Sequence, residues 1–283
     1  MKKVASIHSF LECIKTHQEL HCSDDEMLFF RGLTDNKYDL KPSAFRQGKG
    51  ETESNAYHDI MMEYPEQFSK KEHLSNLVKM QHYGLRTRLL DVSRNPLISL
   101  YFACEQKPSV NGKVVAFKVK KSEVLHHNSD KALMLACIPA FSDEEQQQIK
   151  EFCEKYPDII TDDKIKDNAV MKRFLHEIRS EFPAFETAII GKDLLKNYFV
   201  ATYKDNQRMK VQDGAFVICG LKKDVTDLDK RAVNIEIDYL AKKDILKDLK
   251  MLGIANNTVY PDFERTSMAI ASDRTANWVN IYE

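Results

Sequence analysis

Three stretches of the 283-residue chain hold the side chains best equipped for chemistry. They are Phe29-Phe30-Arg31-Gly32, then Gln81-His82-Tyr83-Gly84-Leu85-Arg86-Thr87-Arg88-Leu89-Leu90-Asp91, and then Arg208 to Phe216. Each sets polar or charged residues at the end of a short apolar run. A guanidinium grips phosphate or carboxylate through parallel N–H donors. A neighbouring His, Ser or carboxylate moves protons or stabilises charge. Each residue also has a structural reading. An Arg after a buried strand pairs with a carboxylate such as Asp91. Arg88 fits the same role, and His82 fits that of a satisfied core histidine.

Several common sites are missing from the sequence. There is no G-x-x-x-x-G-K-[ST] phosphate loop, no G-x-G-x-x-G after a strand, no H-E-x-x-H and no G-x-S-x-G. His126-His127 is an adjacent pair, but neighbouring side chains diverge on a helix or strand, so no metal is expected there. Asp162-Asp163 and Asp143-Glu144-Glu145 read as helix starts and loops, which leaves a metal-dependent nuclease weakly supported.

The elements that must position the three stretches follow from apolar spacing. Residues 5–20 read as a helix with Phe10, Leu11 and Ile14 on one face. Met27 to Phe30 reads as a buried strand that stops at Arg31-Gly32. Residues 52–82 suggest two helices split near Pro65. Leu89-Leu90 gives a brief strand that Asp91 to Pro96 breaks. Pro96 suits the first position of the apolar helix that follows, where its missing N–H costs nothing. Val114 to Val119, Ala215 to Cys219 and Val233 to Ile237 read as strands. Residues 142–158, 168–182 and 242–252 read as helices, the last with Ile245, Leu246, Leu249 and Leu252 in line. The irregular mixture predicts an α+β class in one compact domain.

Composition narrows the function classes. Lys and Arg number 42 against 43 Asp and Glu, a net charge of −1. A histone-like or arm-like nucleic-acid binder would carry a strong positive excess. A hydrophobic fraction of 43% with 30% charged residues is that of a globular chain. No apolar run suits a signal peptide or a membrane span, so a cytoplasmic protein without membrane contact is expected. The six cysteines are scattered and form no C-x-x-C pair, which predicts free thiols. Trp278 is expected to anchor the C-terminal tail.

Taken together, the three stretches resemble the FRG domain family, named for an aromatic-Arg-Gly motif near its start. Phe30-Arg31-Gly32 stands where that motif belongs. Gln81 to Asp91 is similar to the family's most recognisable block, with Arg86 where Pro is usual and Val92 where an aromatic is usual. The likeness continues through Asn95-Pro96-Leu97 and Leu100-Tyr101-Phe102-Ala103. Further on, Asn206, Arg208, Gln212, Gly214 and Phe216 resemble a second block. Leu252-Gly253-Ile254 and Tyr260-Pro261-Asp262 resemble a closing one. The resemblance spans about residues 25 to 270, which leaves 1–24 as a helical lead-in and 25–283 as the domain.

A second resemblance is to ADP-ribosyltransferases of the Arg-Ser-Glu type. Arg31 fits their Arg at the end of the first strand. Ser93, ahead of the helix through Leu100 to Ala103, fits the Ser of their second motif. Gln212, before the strand Ala215 to Ile218, stands near the place of their catalytic Glu. The resemblance implies split sheets and NAD as co-substrate, with a protein or nucleic acid as target. Many such enzymes in bacteria are toxins or act in defence against phage. It implies Arg31, Gly32, His82, Arg88 and Ser93 as cofactor-binding residues, and Gln212 and Asp91 as catalytic ones. An amide supplies no charge for a developing cation, so another carboxylate (Asp91, Asp213 or Glu236) must serve or the reaction is lost. The alternative is a non-catalytic module for a nucleotide or nucleic acid. Lys70, Lys71, Lys79, Arg86 and Arg88, with His82 and Tyr83, would form its basic strip, although Lys70, Lys71 and Lys79 read better as a solvated helix face.

Overall fold

The computed structural model describes residues 3–46, 52–68, 71–186, 189–203 and 207–261. Asn206, Asp262, Lys70 and Trp278, named above, lie outside the described residues. The strands are β1 (Glu26–Leu33), β2 (Leu89–Ser93), β3 (Gly112–Lys120), β4 (Leu125–His126), β5 (Ile159–Ile160), β6 (Ile189–Ile190), β7 (Tyr198–Ala201), β8 (Gly214–Ile218) and β9 (Ala232–Ile237). Seven of them form one mixed sheet in the order β4-β7-β8-β2-β1-β3-β9, and β5 with β6 form a small second sheet. With the helices around it, this is a single compact α+β domain.

The main sheet nearly comes apart in the middle. β1 pairs with β3 along its whole length, from Glu26↔Lys120 to Leu33↔Lys113. β2 pairs with β8 along its whole length, from Leu89↔Ile218 to Ser93↔Gly214. Between β1 and β2 there is one register pair, Phe30↔Ser93. Two blocks, β9-β3-β1 and β2-β8-β7-β4, therefore diverge from a shared point. The two sheets expected from the second resemblance are here one sheet hinged at a single pair.

Both β1 and β2 run further than their apolar residues suggest. Arg31, Gly32, Asp91 and Ser93 lie inside strands, because each strand keeps its outer neighbour's ladder after parting from the other. Residues opposite each other in an antiparallel pair face the same side. Phe30, Gly32, Asp91 and Ser93 thus share one face of the sheet.

Two groups of helices cover that face. One core joins α1 (Ile7–Thr16), through Phe10, and the helix Lys242–Met251, through Ile245 and Leu249, to Phe30, Val114 and Ile235. The lead-in belongs to this core, and Val4 adds a parallel bridge to Ile237 of β9. The other core joins α2 (Glu53–Glu63) and α3 (His73–His82), through Tyr57, Leu74 and Leu77, to Leu89, Phe216 and Ile218. To the first core also belongs α4 (Pro96–Cys104), capped by the Asn95 side chain on Leu97 N, with Pro96 in its first turn. It sits hard against the sheet. A Cβ on Gly32 would lie 2.0 Å from the Ser99 carbonyl oxygen, and one on Gly112 would lie 2.3 Å from that of Ala103. The glycine of Phe30-Arg31-Gly32 is thus the condition for α4 to dock.

Candidate functional site

The divergence of β1 from β2 opens a cleft of about 270 Å³ at the split of the sheet, reached by residues from both faces. Arg31, Gly32, Asp91 and Ser93 line it from the sheet. Ser99, Phe102 and Glu105 line it from α4 and its end. Arg208 comes from the short helix Gln207–Val211 and Gln212 from the turn between it and β8, Arg46 and Tyr38 from the loop after β1, and Tyr260 from the last described turn. Five of the seven residues expected from the sequence therefore meet in one place. A small adjoining recess, lined by His82, Asp91, Arg208 and Gln212, brings a sixth to its edge.

Arg31 reaches across the parting strands. Its Nη1 donates to the Asp91 carbonyl oxygen at 2.6 Å and lies 3.6 Å from Asp91 Oδ2. Its Nε is buried without a hydrogen-bond partner. Burial lowers the pKa of the Arg31 guanidinium; Asp91 opposes this, and the charge of Arg46 adds to it. An anion arriving in the cleft would relieve both costs.

The block from Gln81 to Asp91 acts as a brace for this pair. Thr87 Oγ1 donates to Gln81 Oε1 at 2.6 Å, and Gln81 Nε2 donates to Asp91 Oδ2 at 2.8 Å. Leu89 N donates to Thr87 Oγ1 at 3.2 Å. Gly84, with φ of 82°, makes the turn that brings the end of α3 back towards β2. Thr87, Gln81, Asp91 and Arg31 form one chain of contacts, each fixing the next.

Ser93 and Gln212 hold the other wall together. The Ser93 hydroxyl donates to the Gln212 carbonyl oxygen at 2.5 Å and accepts from Asn95 N at 2.9 Å. Gln212 Nε2 donates to the Val259 carbonyl oxygen at 3.0 Å. A glutamate at 212 would set a carboxylate against that carbonyl, which gives the amide a structural reason to be there. Gln212 lines the cleft, but this donor is already committed.

Arg88 is not in the cleft. Its side chain is fully buried and donates to Glu53 Oε2 from Nη2 at 2.7 Å and from Nε at 3.0 Å. It also reaches Gln146 Oε1 at 3.2 Å. The cofactor-binding role expected for Arg88 is corrected to that of an internal ion pair. The same burial removes it from the proposed basic strip, in which Lys79 Nζ caps the Gln67 carbonyl at 2.7 Å.

Of the substitute carboxylates, Asp91 alone faces the cleft. Asp213 pairs with Arg94 at 2.7 Å, and Glu236 accepts from Asn36 and Asn111. The sequence reading missed Glu105, because an acid at the end of an apolar helix looks like solvated surface. The Tyr260 hydroxyl lies 3.0 Å from both Glu105 oxygens. The Arg208 guanidinium sits over the Tyr260 ring, 5.1 Å from its centre. Tyr260 belongs to the stretch that resembles the family's closing block, and its bond to Glu105 gives that stretch a place in the site.

A larger cavity of about 480 Å³ lies by the start of α3, lined by Lys71, His127, Glu181 and Tyr203 among others. Lys71 of the expected basic strip lines it, but none of the seven residues expected to bind the cofactor or to catalyse does. Among the described residues no group of three His, Cys, Asp or Glu side chains is placed to hold a metal, and no helix is long and apolar enough to cross a membrane.

Residues 26–112 match the family model of the FRG domain, and the chain carries that domain there. The match begins with the first residue of β1 and ends with the first of β3. It includes Arg31, Asp91, Ser93 and Glu105, while Arg208, Gln212 and Tyr260 lie beyond it. No curated protein and no solved structure matches the chain.

Proposed function

We propose that the cleft binds a nucleotide with a pyrophosphate, NAD in the first instance, and that the protein transfers ADP-ribose from it to a protein or nucleic acid. The observation that carries this reading is the meeting of Arg31, Arg46 and Arg208 with Ser93, Gln212 and aromatic rings at the split of the sheet. Three guanidiniums against the carboxylates of Asp91 and Glu105 leave an excess of positive charge in the lining, and each guanidinium is built to take phosphate oxygens. The buried Arg31 Nε has a donor to give. NAD supplies a pyrophosphate and a cationic, labile nicotinamide–ribose bond. A volume near 270 Å³ is at the lower edge for ligand pockets, which run from about 300 Å³ upwards. It suits one half of a dinucleotide, with the other half lying along the open mouth. The residues divide the work: Arg31 and Arg208 hold phosphate, Tyr260 and Phe102 wall the ring, and Asp91 fixes Arg31. Action as a toxin or in phage defence follows from the family resemblance alone.

A second reading has one observation in its favour. Gln212 carries no charge, and its amide is given to Val259. A cleft of this kind binds a nucleotide without cleaving it. The exposed Tyr83 and Arg86 at the tip of the Gln81 to Asp91 block extend that reading towards nucleic acid.

The deciding experiment is transfer of label from NAD in cell lysate, with the wild type against Arg208→Ala. Arg208 is preferred to Arg31, which also bridges the sheet. Label on protein or nucleic acid, lost in the variant, supports the transferase. Binding of NAD without transfer supports the second reading. Neither binding nor transfer refutes both.

A further inference from the structure

The cleft needs negative charge where Gln212 supplies none. We propose that Glu105 is the carboxylate that faces the cationic nicotinamide–ribose end of the bound nucleotide. The proposal rests on the reading of the cleft as an NAD site.

Among the described residues two acids line the cleft, Asp91 and Glu105. Asp91 is built into the support of the phosphate-binding side, with Gln81 on one oxygen and Arg31 beside it. Glu105 stands at the end of α4, in its capping position, its N–H bonded to the Tyr101 carbonyl. This is a poor place for a negative charge. The carbonyls at a helix C-terminus carry partial negative charge and repel a carboxylate. A residue that breaks a local rule at a cleft wall is a mark of function rather than of folding.

The carboxylate is also held in a fixed direction. The Tyr260 hydroxyl is 3.0 Å from both of its oxygens. Phe102 meets the Tyr260 ring edge-on at 6.0 Å, and Arg208 covers that ring. One tyrosine therefore sets Arg208, which suits phosphate, next to Glu105, which suits a cation. NAD presents the same two charges within one half of the molecule. The bond between the nicotinamide nitrogen and the ribose carbon breaks, and its electron pair leaves with neutral nicotinamide. An oxygen of water or of a target hydroxyl forms the new bond at that carbon, and its proton passes to the Glu105 carboxylate. Charge fixed beforehand at the reacting carbon lowers the barrier more than it strengthens binding.

The test compares the full-length wild type with Glu105→Gln and Tyr260→Phe, with melting curves as fold controls. Calorimetry measures affinity for NAD, for NADH (whose nicotinamide ring is neutral) and for ADP-ribose, and nicotinamide release is followed separately. The proposal predicts that Glu105→Gln leaves ADP-ribose affinity unchanged. It lowers the preference for NAD over NADH about tenfold, the scale for one opposite charge a few ångströms away. Tyr260→Phe lowers that preference in the same direction by a smaller factor. Nicotinamide release, where the wild type shows it, falls about a hundredfold in Glu105→Gln. An unchanged preference in Glu105→Gln, with ADP-ribose still bound, overturns the role of Glu105 and leaves the nucleotide reading standing. Failure of the wild type to bind any of the three nucleotides overturns the proposal and that reading together.

Discussion

Replacing Glu53 by Ala tests whether Arg88 is an internal strut or a ligand-binding group. Glu53 opens α2, where the helix dipole favours a carboxylate. It accepts from Arg88 N at 2.5 Å, from Nε at 3.0 Å and from Nη2 at 2.7 Å. With the Arg88 side chain at 0% exposure and that of Glu53 at 6%, the guanidinium is shielded from bulk water when its acceptor is lost. Gln146 and the Cys219 carbonyl, at 3.2 and 3.5 Å, are neutral and cannot balance the charge. Leaving one member of a buried pair alone costs about 3–5 kcal/mol. At about 2–4 °C per kcal/mol for a large domain, the melting temperature should fall by roughly 6–20 °C. Urea unfolding at unchanged m-value would give the same loss. The double variant Glu53→Leu, Arg88→Met should recover most of it, because both charges leave together. Its nucleotide affinity should equal that of the wild type. A loss below about 1 kcal/mol in Glu53→Ala, or a double variant as unstable as the single one, would refute the reasoning.

Gly32→Ala should destabilise the fold by about 3 kcal/mol or more, since the new Cβ meets backbone of α4 at 2.0 Å; chemical unfolding checks it, and a change under 1 kcal/mol would contradict the docking account. Burial holds the Glu181 carboxyl above the usual glutamate range, with His73 in partial opposition. The folded chain therefore binds that proton more tightly. Its contribution is full below the unfolded value of about 4.3 and is lost as pH rises through the higher folded value. Wild-type stability relative to Glu181→Gln should accordingly fall from pH 4 towards neutrality, and a constant gap across urea titrations would contradict this. Native alkylation should modify Cys22 and Cys13 first. Cys104 and Cys153, buried with thiols pushed up to about 12, and the buried Cys137 and Cys219 should react on unfolding.

Much of the fold was legible where one element carries its own pattern. The strands at Val114 to Val119 and Val233 to Ile237, the helix after Pro96 and the break near Pro65 all stand close to where apolar spacing puts them. β4, β5, β6 and β7 were not foreseen, because two to four residues make no period and their pairing is set by distant partners. Arg31 and Asp91 looked like strand ends because polarity usually marks exposure. Here it marks the inner edges of two strands that part while each keeps its outer ladder. Arg88 was misassigned for a related reason. Its partner Glu53 lies 35 positions away and only the fold brings them together. Glu105 gave no signal, since its meaning comes from Tyr260, 155 positions later.

The most direct test of the account is a calorimetric titration of the full chain with NAD, for the wild type and for Arg208→Ala, at low and moderate salt. The account predicts saturable one-to-one binding that weakens with salt, as phosphate held by guanidiniums requires. It predicts a loss of about tenfold or more in the variant, the scale of a charge-assisted hydrogen bond to phosphate. Equal affinity in a folded Arg208→Ala, or no binding by the wild type, would contradict it.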